Sequence, residues 1–181
     1  MEIRSDFDTS VRKAFSEIDS DWELYDGLVV AGTHDPKDIE NTLTLIRLAR
    51  ETNRPFLGIC WGLQLMVIEY ARNVLGIKNA TSEELGEGTP VIVKMPQLRV
   101  GIFPVNGRQE SHWHNYKVNN EYVKQFRGYQ CSFTGDILEE LYFRNMVAVQ
   151  FHPEYQSSKD KPHPLLVSFI DQCRQYTKLI P

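Results

Sequence analysis

The sequence predicts an α/β fold, a mostly parallel central sheet with helices on both faces. Two observations carry this. Through the first half of the chain, short apolar runs alternate with segments of helical periodicity, the pattern of successive βαβ units. And Arg54–Gly76 reads as one complete unit: a short apolar strand, a Gly-x-Cys-x-Gly turn at Gly58–Gly62, then a helix. At 181 residues the length suits a single domain spanning 1–181.

The elements follow in order. Residues 5–18 place Phe7, Val11, Ala14, Phe15 and Ile18 on one helical face, with Ser5 or Asp6 positioned as a cap. Tyr25–Gly32 reads as a strand running into a glycine turn. Asp35-Pro36 then has the chemistry of an N-cap and first helical residue, opening a helix to about Thr52 with Ile39, Leu43, Ile46 and Ala49 inward. Pro55–Ile59 is the next strand. The helix after the turn carries a stripe of Leu63, Met66, Val67, Tyr70, Ala71 and Val74 and is closed by Gly76. Only Glu2–Arg4 could supply a strand before Leu28, so the N-terminal element is expected to be very short or this end of the sheet rebuilt.

The second half reads differently. Thr89–Lys94 and Leu98–Phe103 look like β structure separated by Met95-Pro96, a hairpin outside the parallel sheet. Tyr129–Phe133, Leu138–Phe143 and Met146–Phe151 are three further short strands. Pro164–Leu179 is helical, with Leu166, Phe169, Ile170 and Cys173 on one face.

Composition narrows the function. The chain is 41% hydrophobic and 24% charged, ordinary for a soluble globular domain. A net charge of −4 without a basic run argues against nucleic-acid or membrane-surface binding. The apolar stretches are too short to span a membrane, and Met1–Arg4 is not a signal peptide. The three cysteines Cys60, Cys131 and Cys173 suit free thiols in a reducing, cytoplasmic setting, with Cys131 and Cys173 as core thiols.

Chemistry concentrates at Cys60. A residue on a sharp strand-to-helix turn between glycines is a nucleophile elbow. The first glycine lets neighbouring backbone crowd in, and the second lets the helix start tight against the strand. The apex faces the positive end of a helix dipole, which favours thiolate. A base lies far downstream in Val149-Gln-Phe-His-Pro-Glu154. Side chains two apart on an extended segment share a face, so Glu154 can orient His152 and His152 can deprotonate Cys60.

Gly58-Ile-Cys-Trp-Gly-Leu-Gln64 with Gln150-Phe-His-Pro-Glu154 resembles the class I glutamine amidotransferases. The closer match is to the glutaminase domains of CTP synthases, resting on Arg50–Cys60, Glu69–Gly76, Asn79–Glu84, His112–Asn120, the tail from Gln150 and Pro164-Leu-Leu. The resemblance runs from about Asp19 to Cys173. It implies a class I glutamine amidotransferase-like, flavodoxin-like fold and hydrolysis of glutamine to glutamate and ammonia through a thioester on Cys60. It implies no cofactor, and a synthase partner if ammonia is the useful product. It places the oxyanion on the backbone N–H of Trp61 and on the Gly32-Thr33 turn. Trp61, Gly62, Leu63 and Gln64 would line the glutamine pocket, Glu84 would pair with the substrate ammonium, and His114, Asn115 and Tyr116 would face its carboxylate. The ligase domain of CTP synthase is expected to be absent; the sequence shows no Walker-type phosphate loop, and His112/His114 lack a third metal ligand nearby.

Two positions depart from the family. Its Pro-Gly-Gly-Phe-Gly loop falls on Ala31–Asp35, so Thr33 stands where a glycine supplies an N–H, at a position that would strain a residue with Cβ if φ is positive. Asn115 stands where the family has an arginine that clamps the carboxylate. An alternative to glutamine is therefore another γ-glutamyl amide or peptide handled by the same triad, and a second alternative is a non-catalytic binding or regulatory module.

Overall fold

The computed structural model describes residues 1–5 and 8–180. Six strands form the main sheet. In chain order these are β1 (Glu2–Arg4), β2 (Leu28–Val30), β3 (Phe56–Ile59), β7 (Gln130–Thr134), β8 (Ile137–Phe143) and β9 (Met146–Val149). Their spatial order is β1-β2-β3-β9-β8-β7. The first four run parallel, β8 pairs antiparallel with β9, and β7 pairs antiparallel with β8. The sheet is thus mostly parallel. Strands β2, β3 and β9 are buried at every residue, which is why they read as unbroken apolar runs.

Alternation along those strands feeds two cores. Leu28, Val30, Phe56, Met146 and Ala148 pack against α2 (Ile39–Thr52) and α3 (Trp61–Asn73). Val29, Ala31, Leu57, Ile59, Val147 and Val149 pack on the other face against α1 (Asp8–Ile18) and α5 (Pro164–Thr177). In α1 the expected Val11, Ala14 and Phe15 are buried, and Phe7 and Asp6 lie outside the described residues. The Ser5 hydroxyl donates to the Gly32 carbonyl at 2.7 Å, tying the N-terminal edge to the turn after β2. In α5, Leu166, Phe169, Ile170 and Cys173 are all buried, and burial pushes the Cys173 thiol up to about 12.

The structure departs from the expectations of the sequence at four places. The helix expected from Asp35-Pro36 begins at Ile39, because Asp38 has φ of +52° and breaks the helical run after the proline. Helix α3 is buried from Trp61 to Ala71 on every side, so its stripe is no single core face. Its Glu69 is fully buried and accepts from Arg50 Nη2 at 2.8 Å and Asn73 Nδ2 at 3.2 Å. Met95-Pro96 does not separate two hairpin strands. Thr89–Val105 is one long strand (β5) that pairs antiparallel with β6 (Arg108–Val118), and the proline falls where the register slips between Lys94 and Arg99. With β4 (Ala80–Ser82) they form a second, three-stranded sheet. Finally, Cys131 is exposed on β7, an edge strand, and is not a core thiol.

Candidate active site

The turns after β2, β3 and β9 meet at the carboxyl edge of the parallel strands, the crevice where α/β sheets place their ligands. They bring Gly32, Cys60 and His152 together. Cys60 has φ of +54° and ψ of −99°, a conformation costly for a residue with Cβ. Its backbone N–H donates to the Val149 carbonyl at 2.7 Å, and its carbonyl accepts from Leu63 and Gln64 N–H at the start of α3. The flanking glycines are required by contact. A Cβ on Gly62 would stand 1.9 Å from the Val30 carbonyl oxygen, and one on Gly58 would stand 2.8 Å from the Gly62 carbonyl carbon.

His152 and Glu154 are both buried, and His152 Nδ1 lies 2.8 Å from Glu154 Oε1. A carboxylate only accepts, so Nδ1 carries the proton and Nε2 is left for Cys60, with which the imidazole is hydrogen-bonded. Burial pushes the imidazole's pKa down. The hydrogen bonds to Cys60 and Glu154, and the negative charge of both, outweigh it and raise the value to about 10. The His152 backbone is fixed by donation to the Ser111 carbonyl at 2.7 Å. Tyr155 stacks on the ring at 5.1 Å. Gln150 Nε2 approaches the Cys60 sulfur at 3.6 Å.

One titration follows from this pair. Because the folded pKa lies above the unfolded value of about 6.5, His152 contributes stability fully present below that pH and lost as pH rises through about 10. In Cys60→Ala one of the raising partners is gone, and the His152 pKa measured by imidazole NMR is expected to fall. An unchanged value in the variant would show that the sulfur does not face the ring.

Around the pair lies a cavity of about 360 Å³. Gly32, Thr33, Trp61, Gln64, Glu84, His114, Asn115 and Tyr116 all contribute to its wall. Gly62 and Leu63 do not: Gly62 packs on Val30 and the Leu63 side chain is in the core beneath. A Cβ on Gly32 would stand 3.1 Å from His152 Cε1, close enough that the ring would have to shift by a few tenths of an ångström. Thr33 is not among the residues at positive φ, so the strain expected at that position does not arise. Its hydroxyl accepts from Asp35 N–H at 3.1 Å.

His114 is held neutral. Its Nδ1 donates to the Tyr116 carbonyl at 2.9 Å, leaving Nε2 to accept from His112 Nδ1 at 3.3 Å. Burial, with the charge of Arg99 and His152 against a smaller raising effect of the Tyr116 carbonyl, pushes His114 down to about 4. Burial and the same neighbours push His112 to about 3. Glu84 is pushed upward by partial desolvation against the opposing charge of His34.

Four wall residues were missed in the sequence: His34, Leu98, Trp113 and Tyr155. Trp113 shares the outward face of β6 with Asn115, an alternation visible only once β6 is known as a strand, whereas Tyr155 directly follows the triad motif. Gln150 was seen in its motif without a role.

Residues 4–172 match the family model described as "Glutamine amidotransferase class-I". Curated relatives include CTP synthase from Methanoculleus marisnigri, 33% identical with 83% of this chain and 34% of that protein aligned. CTP synthase from Clostridium beijerinckii is 37% identical, aligning 84% of this chain and 35% of that protein. The chain thus spans about a third of the length of these relatives. Among solved structures, the glutaminase domain of Trypanosoma brucei CTPS with bound acivicin superposes with a TM-score of 0.82, covering 97% of this chain and 94% of that one at 23% identity. That likeness speaks for the fold. With the family model covering most of its length, and an elbow cysteine, a glycine turn and a His–Glu pair at one sheet edge, the chain belongs to the class I glutamine amidotransferases.

Proposed function

We propose that the protein hydrolyses the side-chain amide of glutamine, or of a γ-glutamyl amide, through a thioester on Cys60. The observation that carries the reading is a cysteine held at positive φ on a strand-to-helix elbow, against a buried histidine that is itself oriented by a carboxylate 2.8 Å away. In this reading Cys60 attacks the amide carbon. The oxyanion forms beside the N–H of Trp61, the first residue of α3, which as a helix-start donor has no intrahelical partner. The Gly32-Thr33 turn supplies the second wall. The C–N bond then breaks, and the proton on His152 Nε2 passes to the departing amine. Water, deprotonated by the same nitrogen, cleaves the thioester to glutamate and restores the thiolate. Glu154 keeps the imidazole in the right tautomer and balances its charge. Glu84 takes the substrate ammonium, Gln64 and Tyr116 line its path, and Gly62 and Leu63 shape the wall from behind. Support for ammonia transfer to a synthase partner comes from the curated relatives being CTP synthases.

The test is chemical. An electrophilic glutamine analogue should label Cys60 stoichiometrically, and hydroxylamine should divert the thioester to the glutamyl hydroxamate. If neither adduct forms and no amide is turned over, the enzyme reading fails and a binding module remains.

A specific observation bears on the substrate. Among the described residues lining the cavity there is no lysine or arginine, and His114 is neutral. Restoring a cation where the family has one, in Asn115→Arg, should lower KM for glutamine by about tenfold to a hundredfold, the worth of a charge-assisted forked contact. A steady-state assay checks this, and an unchanged KM would place the carboxylate elsewhere.

A further inference from the structure

Resting on the amide-hydrolase reading above, we infer that the outward face of the β5–β6 hairpin is a leaving-group subsite, and that the preferred substrate is a γ-glutamyl amide of an aromatic or long apolar amine. The departing nitrogen is placed by the reacting pair. It sits between the Cys60 sulfur and His152 Nε2, and β6 runs past both. The Ser111 carbonyl accepts from the His152 backbone, and the Trp113 carbonyl is 3.8 Å from the Cys60 sulfur. Trp113 is therefore beside the reacting pair.

Strand register extends this wall away from the pocket. Arg99 pairs with His114, Val100 with Trp113 and Ile102 with Ser111, so Leu98, Val100 and Ile102 share one face with Trp113 and Asn115. The opposite face carries His112 and His114 inward. Leu98, Val100, Ile102 and Trp113 are 53–55% exposed, a continuous apolar strip rather than scattered single side chains. Two of them, Leu98 and Trp113, are also cavity wall, so the strip opens directly from the site of bond cleavage. The Trp113 ring meets His34 edge-on at 5.8 Å, and Tyr155, stacked on His152, adds a further aromatic surface at the same mouth.

Charge points the same way. Glu84 is the one charged side chain among the described lining residues apart from the histidines, which suits an ammonium at the glutamyl end. With no cation to grip the carboxylate, discrimination falls to what the amine carries, and an apolar substituent on this strip gains the burial that ammonia cannot. The reaction balances as before: the thiolate adds, the C–N bond breaks, the His152 proton leaves with the amine, and water completes hydrolysis to glutamate.

The experiment compares kcat/KM for glutamine, γ-glutamyl-p-nitroanilide and γ-glutamyl alkylamides of rising chain length. The anilide is expected at least about tenfold above glutamine, with alkylamides climbing with length, as pocket methylenes discriminate. In Trp113→Ser the anilide-to-glutamine ratio should fall about tenfold, and in Val100→Asp the climb with chain length should flatten. A flat series with glutamine preferred, from protein that still labels at Cys60, overturns the subsite and leaves the amide hydrolase standing. No labelling and no turnover of any amide overturns both. The wild-type series decides the question even if a variant fails to fold.

Discussion

Replacing Cys60 by alanine is expected to lower amide turnover by on the order of 10⁴- to 10⁶-fold, because members of a nucleophile–base unit do not substitute for one another. His152 and Glu154 remain in place without the sulfur, the His152 backbone held by the Ser111 carbonyl and its ring by the Glu154 carboxylate, yet they have nothing to activate. The loss should therefore be almost wholly in kcat, because the cavity wall at Glu84 and Tyr116, proposed to hold the substrate, is untouched. Cys60→Gly makes the complementary case. At φ of +54° and ψ of −99° the cysteine occupies a conformation that costs about 1–3 kcal/mol and that glycine adopts freely. The glycine variant should then be as inactive as the alanine variant while melting at a higher temperature than it. Glutamate release and thermal unfolding on the same three proteins check both halves. Residual activity in Cys60→Ala within tenfold of the parent would remove the thioester from the mechanism.

Much of this site was legible because its chemistry is written in contiguous motifs. Gly58–Gln64 and Gln150–Glu154 each carry their own geometry, and the strands that deliver them are apolar runs with few alternative structures. The fold was legible for the same reason, except at its N-terminal end, where a very short strand and a rebuilt sheet edge stood as alternatives and Glu2–Arg4 in fact pairs with β2 as the three-residue β1. What escaped is what depends on packing between distant segments. Nothing in Trp61–Ala71 states that α3 is enclosed on all sides, since the second sheet that covers it is built from β5, whose proline reads as a break. The hairpin partner of β5 was hidden because the buried positions of Arg108–Val118 are mostly polar, Glu110, His112 and His114, with only Val118 apolar at the end. Glu110 there is fully buried, and its carboxylate accepts from Arg108 Nε at 2.8 Å and from His163 Nε2 at 3.1 Å. A strand stabilised by paired charges carries no apolar alternation for periodicity to find. Without that strand, the residues of its outward face, Trp113 above all, could not be placed at the mouth of the site.

Gly62→Ala is expected to destabilise the fold by about 3 kcal/mol or more, the upper end of overpacking costs. The added Cβ would lie 1.9 Å from the Val30 carbonyl oxygen and 2.8 Å from its carbon, backbone atoms of a strand hydrogen-bonded on both sides. Neither partner can yield. β2 is clamped between β1 and β3, and α3 is buried on every face, so the helix must lift off the sheet as a body. That movement carries Cys60, one residue before the helix, away from His152, so activity should fall along with stability and further than unfolding alone explains. Gly58→Ala meets the same joint from the strand side, its Cβ 2.8 Å from the Gly62 carbonyl carbon. Once α3 has lifted for one substitution the second has room, and the double variant should cost less than the sum of the singles. Gly76→Ala is the control: its φ is +76° but nothing lies within 4 Å, so it should show only the cost of a left-handed residue, about 1 kcal/mol. Urea unfolding of the four variants beside the parent measures these differences. Gly62→Ala as mild as Gly76→Ala, or full additivity with Gly58→Ala, would mean that the elbow does not depend on the close contact of α3 with β2.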